Sequence, residues 1–379
     1  MDFSAAESMF RIDKIRELAE DPQGLRYLKL RSLSRRDHLE RLFELAGVSP
    51  PTKARELFRQ AFSSPAIADE TIENTIRDIY QRERQLRRER EPELVSQLYR
   101  LLMFDWGGLH QNSLEKTIVD NYVKRIVDFD DLSKKIENEL HNSLRGYVLC
   151  SWYNHWTSII IEDIFRDHPA VLPAVGQVKK IDFFVKDVPF DLKVTYLPEG
   201  FVKDKRREQK LRPELTLLKQ LARRKQIHFG DDLPDGKLLE DLWAKHRDHP
   251  SNESQQLIRE LNEFRLQLLT QCQSDPIELM RWLYENQGVR RFDASNRLFL
   301  VLVDRSNFFE SWKLKRAKPL LDQSVSSFLD AVGEHPGQQV DFQWEGKTYS
   351  ALSDVVFVVH PEVGDTSLDR GSPRSTQPL

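Results

Sequence analysis

Residues 180–195 read Lys180-Ile-Asp-Phe-Phe-Val-Lys-Asp-Val-Pro-Phe-Asp-Leu-Lys-Val-Thr195, and this stretch decides the fold class. Two apolar segments, Lys180 to Val185 and Val188 to Tyr196, flank Lys186-Asp187, the pattern of two strands joined by a tight turn. Counting outward from the turn sets Val185 opposite Val188, Phe183 opposite Phe190, and Asp182 opposite Asp191. Strand alternation puts Lys193 on the same face as Asp191 and turns Phe190, Leu192 and Val194 the other way, into a core. Two carboxylates facing each other across an antiparallel pair destabilise it unless something compensates. A divalent cation would do so. Two acids and a lysine thus converge at one surface spot on a rigid element.

Upstream of the hairpin, an aromatic and β-branched helix is expected from Tyr147 to Phe165, then a strand from Ala170 to Val175 ending at Gly176. Downstream, ten Lys or Arg stand against three acids between Lys203 and Lys225. Residues 231–290 read as helical. Within them, Asp275-Pro276-Ile277-Glu278 has the cap, proline and acid of a helix start, and Gly288 suits its end. The continuous apolar run Leu298 to Val303 predicts a central strand buried on both faces. A hairpin at Glu345-Gly346 should lead into a strand at Val355 to Val359.

The first 145 residues carry helical periodicity almost throughout. The clearest case is Glu70 to Glu91, with Ile72, Ile76, Ile79 and Leu86 on one face and Pro92 closing it. Breaks are expected at Pro50-Pro51 and Gly107-Gly108. The resulting division is a helical region 1–145 for recognition or dimerisation, a core 146–360 with a helical insertion 231–290, and a disordered Ser, Pro, Gly and Asp-rich tail 361–379.

Composition narrows the function classes. The chain has 379 residues, 31% of them charged and 39% hydrophobic, enough to bury a substantial core. No apolar run spans a bilayer, and the first residues lack the pattern of a signal peptide, so a cytoplasmic protein without a membrane partner is expected. Cys150 and Cys272 cannot form a disulfide framework or a four-cysteine zinc site. With a net charge of −3, any contact with phosphates must come from a local patch.

Three features attract attention and fail. Gly230 to Lys237 looks like a phosphate loop, but the spacing is one residue too long and Leu238 replaces the metal-binding Ser or Thr, so a surface turn is expected. His246 and His249 lack a third ligand and read as an exposed helix end. Trp152, Tyr153 and Trp156 have the spacing of packed helix residues rather than base-stacking ones.

Acid-x-Lys triplets occur at Asp191, Glu208, Asp235 and Glu345. Only Asp191-Leu192-Lys193 lies in an apolar strand with an aspartate on the preceding strand. In that context the segment resembles the PD-(D/E)XK nuclease superfamily, the restriction-endonuclease-like group. That pattern is a helix carrying an acid, a β-meander with an Asp and then acid-x-Lys, and afterwards a helix and a further strand. Matching positions here are Glu162, the strand at 170–175, Asp182 and Asp191-Leu-Lys193, with Ile181 where the family name has proline. The resemblance covers about residues 146–226 and 291–305. The long interruption before the later strand departs from the pattern and leaves the topology after residue 200 open.

The resemblance implies an α+β fold with an α/β core, a mixed sheet flanked by helices. It implies Mg²⁺, replaceable by Mn²⁺, held by Asp182, Asp191 and the Leu192 carbonyl, with Glu162 adding a water-mediated or second-metal contact and Gln177 a further one. Lys193 would orient the attacking water and offset charge on the scissile phosphate. The activity implied is metal-dependent endonuclease cleavage of double-stranded DNA, in restriction or phage defence. A repair or junction-resolving nuclease is the near alternative, and a nucleic-acid-binding scaffold with inert acids is the alternative from another class. In the blandest reading, Asp182 and Asp191 are solvated edge residues and Lys193 pairs one of them. Lys205, Arg206, Arg207 and Lys210 are expected to meet phosphates, because the basic run begins where the resembled fold places its next helix. A homodimer is expected, since cutting both strands at a symmetric site calls for two active sites about a two-fold axis.

Overall fold

The computed structural model describes residues 1–106, 108–109, 113–230, 233–288 and 292–361. The expectations for Gly107 and for the tail beyond Pro361 lie outside the described residues. In chain order the helices are α1 (Phe3–Arg11), α2 (Ile15–Glu20), α3 (Pro22–Ser32), α4 (Arg36–Leu45), α5 (Ala54–Ser63), α6 (Asp69–Arg88), α7 (Glu91–Leu98), α8 (Leu114–Ile118), α9 (Phe129–Lys135) and α10 (His141–Arg166). Strands β1 (Val171–Val178), β2 (Ile181–Val185) and β3 (Val188–Tyr196) follow. Next come α11 (Glu199–Glu208), α12 (Glu214–Arg224), α13 (Asp235–Asp248), α14 (Asn252–Ser274) and α15 (Ile277–Glu285). The chain then returns through β4 (Arg297–Asp304), α16 (Lys318–Ala331), β5 (Gln338–Trp344) and β6 (Lys347–His360). Among the described residues no helix is long and apolar enough to cross a membrane.

The fold is mixed α/β, with one six-stranded sheet in the order β1-β2-β3-β4-β6-β5. Two compact units divide the chain: residues 1–28, 178–314 and 327 onward form the first, and 29–177 with 315–326 the second. The first unit takes both the N-terminal segment and the 231–290 insertion, and the boundary expected at 145/146 falls inside α10.

In the first unit, β4 runs parallel to β3 on one side and to β6 on the other. All but its last residue are buried, as a central strand requires. One face of the sheet carries Phe299, Val301 and Val355, which pack against Phe201, Leu268 and Tyr284 from α11, α14 and α15. A second core, around Leu218, Leu242, Trp243 and Leu261, joins α12, α13 and α14. The β5–β6 hairpin turns at Glu345-Gly346, both with positive φ, where sequence placed it.

The second unit is helical apart from its part of β1. A buried charge cluster ties three of its helices: Arg84 of α6 meets Glu91 of α7 at 2.7 Å and Asp167, just past α10, at 3.0 Å, while Arg87 holds Asp163 at 2.7 Å. Arg84 explains an expectation that needs correction. The stripe of Ile72, Ile76 and Ile79 is buried, but the buried face continues through Tyr80 to Arg84, one and two turns after Ile76, while Leu86 is exposed. Pro92 does not close α6; it sits in the first turn of α7, where a missing N–H costs nothing.

Candidate active site

The site begins with the turn. Lys186 and Asp187 both have positive φ (44° and 72°), the geometry that matches the twist of a two-residue hairpin, adopted here without glycine or asparagine. The ladder from it pairs Val185 with Val188 and Phe183 with Phe190, the register expected. Past Phe183 the Asp182 side chain takes over the ladder's role, its Oδ2 accepting the Leu192 N–H at 2.7 Å. The Leu192 carbonyl leaves the same strand edge as that N–H, toward Asp182.

Asp191 is buried, and Lys193 Nζ lies 2.6 Å from its Oδ1. Burial pushes the Asp191 carboxyl above the ordinary carboxylate range and neighbouring Asp182 adds to the rise, while Lys193 and Arg297 work against it. Lys193 itself is exposed. The structure therefore brings together Asp182, Asp191, Leu192 and Lys193. Glu162 belongs to the second unit, on α10, where its carboxylate meets Arg166 one turn along at 2.9 Å. The side chain of Gln177 lies outside the described residues.

Sequence reasoning missed two residues here. Asn296, just ahead of β4, bridges β3 and β6: its carbonyl accepts the Asp191 N–H at 3.0 Å, its amide donates to the Pro189 carbonyl at 3.3 Å, and its Oδ1 accepts the Leu352 N–H at 3.0 Å. Arg297 is the register partner of Asp191 across the parallel β3–β4 pair, so both side chains leave the same face. It is buried, with Nε 3.7 Å from Asp191 Oδ2. The signal available in sequence was a charged residue immediately ahead of the most apolar run in the chain.

Two carboxylates suit Mg²⁺, which commonly takes one or two and retains several waters. A buried acid raised by a like-charged neighbour is also the electrostatic setting that a cation relieves. The donor set therefore fits a hard divalent ion, although among the described residues no three His, Cys, Asp or Glu side chains group around one point.

The basic segment forms two helices, and its four singled-out residues differ. Arg206 is buried, its Nε donating to the Arg212 carbonyl at 2.9 Å and its guanidinium over the Phe264 ring. It follows Val202 by one helical turn on the core face and is not available to a phosphate. Lys205 is held by Glu208 at 2.8 Å and Glu278 at 2.7 Å. Arg207 and Lys210 are exposed. His246, expected at an exposed helix end, is buried instead: its ring nitrogens meet Ser254 Oγ and the Leu218 carbonyl, each at 3.0 Å, and burial lowers its pKa. Asp235, Gly236 and Lys237 open α13, while Asp231 and Asp232 lie outside the described residues. Tyr153 is buried and Trp152 and Trp156 half-buried, in keeping with packing.

Comparison with family models, with curated proteins and with solved structures returned no match.

Proposed function

We propose that this chain is a metal-dependent endonuclease of the restriction-endonuclease-like kind, acting on double-stranded DNA in restriction or phage defence. The observation that carries the reading is the aspartate pair at the end of the β2–β3 ladder, with Lys193 Nζ 2.6 Å from Asp191. A divalent ion bound there lowers the pKa of a coordinated water and neutralises charge developing on phosphorus. Asp182, tethered to the Leu192 N–H, keeps its carboxylate beside that backbone edge. Lys193 is exposed enough to swing from Asp191 to the scissile phosphate and to orient the water. Arg207 and Lys210 offer phosphate contacts, and two copies about a two-fold axis would cut both strands.

One observation favours a second reading. Asp191 already has Lys193 at 2.6 Å and Arg297 at 3.7 Å against it, which suits a nucleic-acid-binding scaffold with inert acids.

Plasmid nicking decides between them. The full chain should nick supercoiled DNA in Mg²⁺ and stop in EDTA. Lys193→Ala should cut the rate by about 10²–10³-fold in a chain that still folds, because that side chain is exposed and Arg297 still faces Asp191. Asp191→Ala is a poorer probe, since it strands buried Arg297. A chain that binds plasmid but nicks it in neither Mg²⁺ nor Mn²⁺ returns the site to the scaffold reading.

A further inference from the structure

Arg297 is placed with more care than a surface counter-ion needs. One terminal nitrogen donates to Gln287 Oε1, just past α15, and the other lies 3.4 Å from Asp293 Oδ2. The guanidinium sits over the Tyr284 ring, 5.0 Å from its centroid. Tyr284 is itself pinned, its hydroxyl donating to the Ser295 carbonyl at 2.9 Å. Asp293 is fixed in turn by the Ser295 N–H at 2.9 Å and by the Ser295 hydroxyl. With both terminal nitrogens anchored, the third, Nε, lies 3.7 Å from Asp191 Oδ2, and among the described residues it has no hydrogen-bond partner.

The opposite oxygen of the same carboxylate belongs to Lys193. Asp191 is thus held between two cations of different character. Lys193 is exposed and flexible, free to leave. Arg297 is 5% exposed, clamped, and always charged. A buried charge left without compensation is costly, so a fixed cation at this point stabilises the acid pair while nothing else is bound.

We propose that Arg297 is a positioning residue: a built-in counter-ion that holds the Asp191 carboxylate in the absence of a bound cation and keeps divalent-ion affinity at the site low. The second half rests on the nuclease reading; the first does not. Asp182 and Asp191 thus face Lys193 and Arg297, with Asp293 on the far side of the guanidinium. A divalent ion entering that cluster meets a fixed positive charge that cannot withdraw, and its affinity falls accordingly. Removing the charge should loosen the empty site and tighten the loaded one, opposite effects that simple loss of packing does not produce.

The test has two arms on the full chain. In EDTA, urea denaturation of wild type, Arg297→Gln, Asp191→Asn and the double variant forms a cycle. The loss caused by Arg297→Gln should shrink to less than half in the Asp191→Asn background; an undiminished loss means that Arg297 serves only Gln287, Asp293 and Tyr284, and overturns the proposal. An Arg297→Gln chain that unfolds alone but folds beside Asp191→Asn supports it, and one unfolded in both backgrounds overturns it. In the second arm, calorimetric titration with Mn²⁺ should give roughly tenfold tighter binding to Arg297→Gln than to wild type, with Arg297→Lys close to wild type. Equal or weaker binding to Arg297→Gln refutes the affinity half. If no variant, wild type included, binds Mn²⁺, the metal-dependent reading fails while the denaturation cycle still judges the counter-ion.

Discussion

Two of the arginines buried in the first unit, Arg265 and Arg297, are buried differently. Arg265 of α14 is fully enclosed, and each of its nitrogens has a carboxylate: Nε and one terminal nitrogen on Glu214, both terminal nitrogens on Glu199. Trp243, Phe308 and Phe309 surround the guanidinium. Burial alone would depress its pKa, but Glu214 and Glu199 outweigh that and raise it. Arg297 has partners for its two ends only and aims the remaining nitrogen at an acid beside an exposed lysine. A buried charge whose partners are complete fastens helices together. One whose partners are incomplete leaves a nitrogen facing a neighbouring acid, as Nε of Arg297 faces Asp191.

The largest effect should come from breaking the complete cluster. Arg265→Met leaves Glu214 buried and unpaired, and should cost about 3–5 kcal/mol in urea denaturation. A loss below about 1 kcal/mol would mean that α11, α12 and α14 are held by their apolar contacts alone.

A middle-sized effect separates Lys205, held by two carboxylates, from Lys210 and the more exposed Arg207, which meets Asp204 alone at 3.2 Å. Replacing Arg207 and Lys210 together with Ala should flatten the slope of log affinity for duplex DNA against log salt by up to about two units. Replacing Lys205 with Ala should leave that slope unchanged, because its ammonium already answers to Glu208 and Glu278. Identical slopes for both variants would remove this segment from the DNA interface.

The smallest effect belongs to His246, whose two ring nitrogens are both engaged in the buried neutral form. Its folded pKa lies below the unfolded value near 6.5. Protons therefore bind the unfolded chain more readily, so stability is full above that value and declines as pH falls through it. Thermal unfolding from pH 7.5 to 5.5 should fall more steeply in wild type than in His246→Gln. Parallel curves would show that the ring titrates as it would in water.

The same contrast explains what sequence could and could not reveal. The hairpin was legible because a two-residue turn, a period of two and an aspartate on each strand all lie within sixteen consecutive residues. The buried strand at Leu298 to Val303 was legible because nothing polar interrupts it. Arg297 was not, because only the parallel register of β4 against β3 carries it to Asp191, and no local pattern encodes that register. Arg206 was readable in principle: it stands one turn after Val202, on the face that α11 buries. Counting charges across a segment discards the phase that distinguishes a core-facing arginine from a solvated one.

The joint between β3 and β4 also has a kinetic side. The bond from Asn296 to Pro189 spans 107 positions, and the intervening chain is the whole excursion through α11 to α15. A hairpin closes within roughly 1–10 μs, whereas a parallel pairing must first bear the entropy of closing such a loop. Loop-closure entropy thus favours forming the acid pair before its arginine is brought in. A chain with only the hairpin formed presents Asp182 and Asp191 with Lys193 as their cationic neighbour in β3, and it lacks the clamped cation that β4 brings.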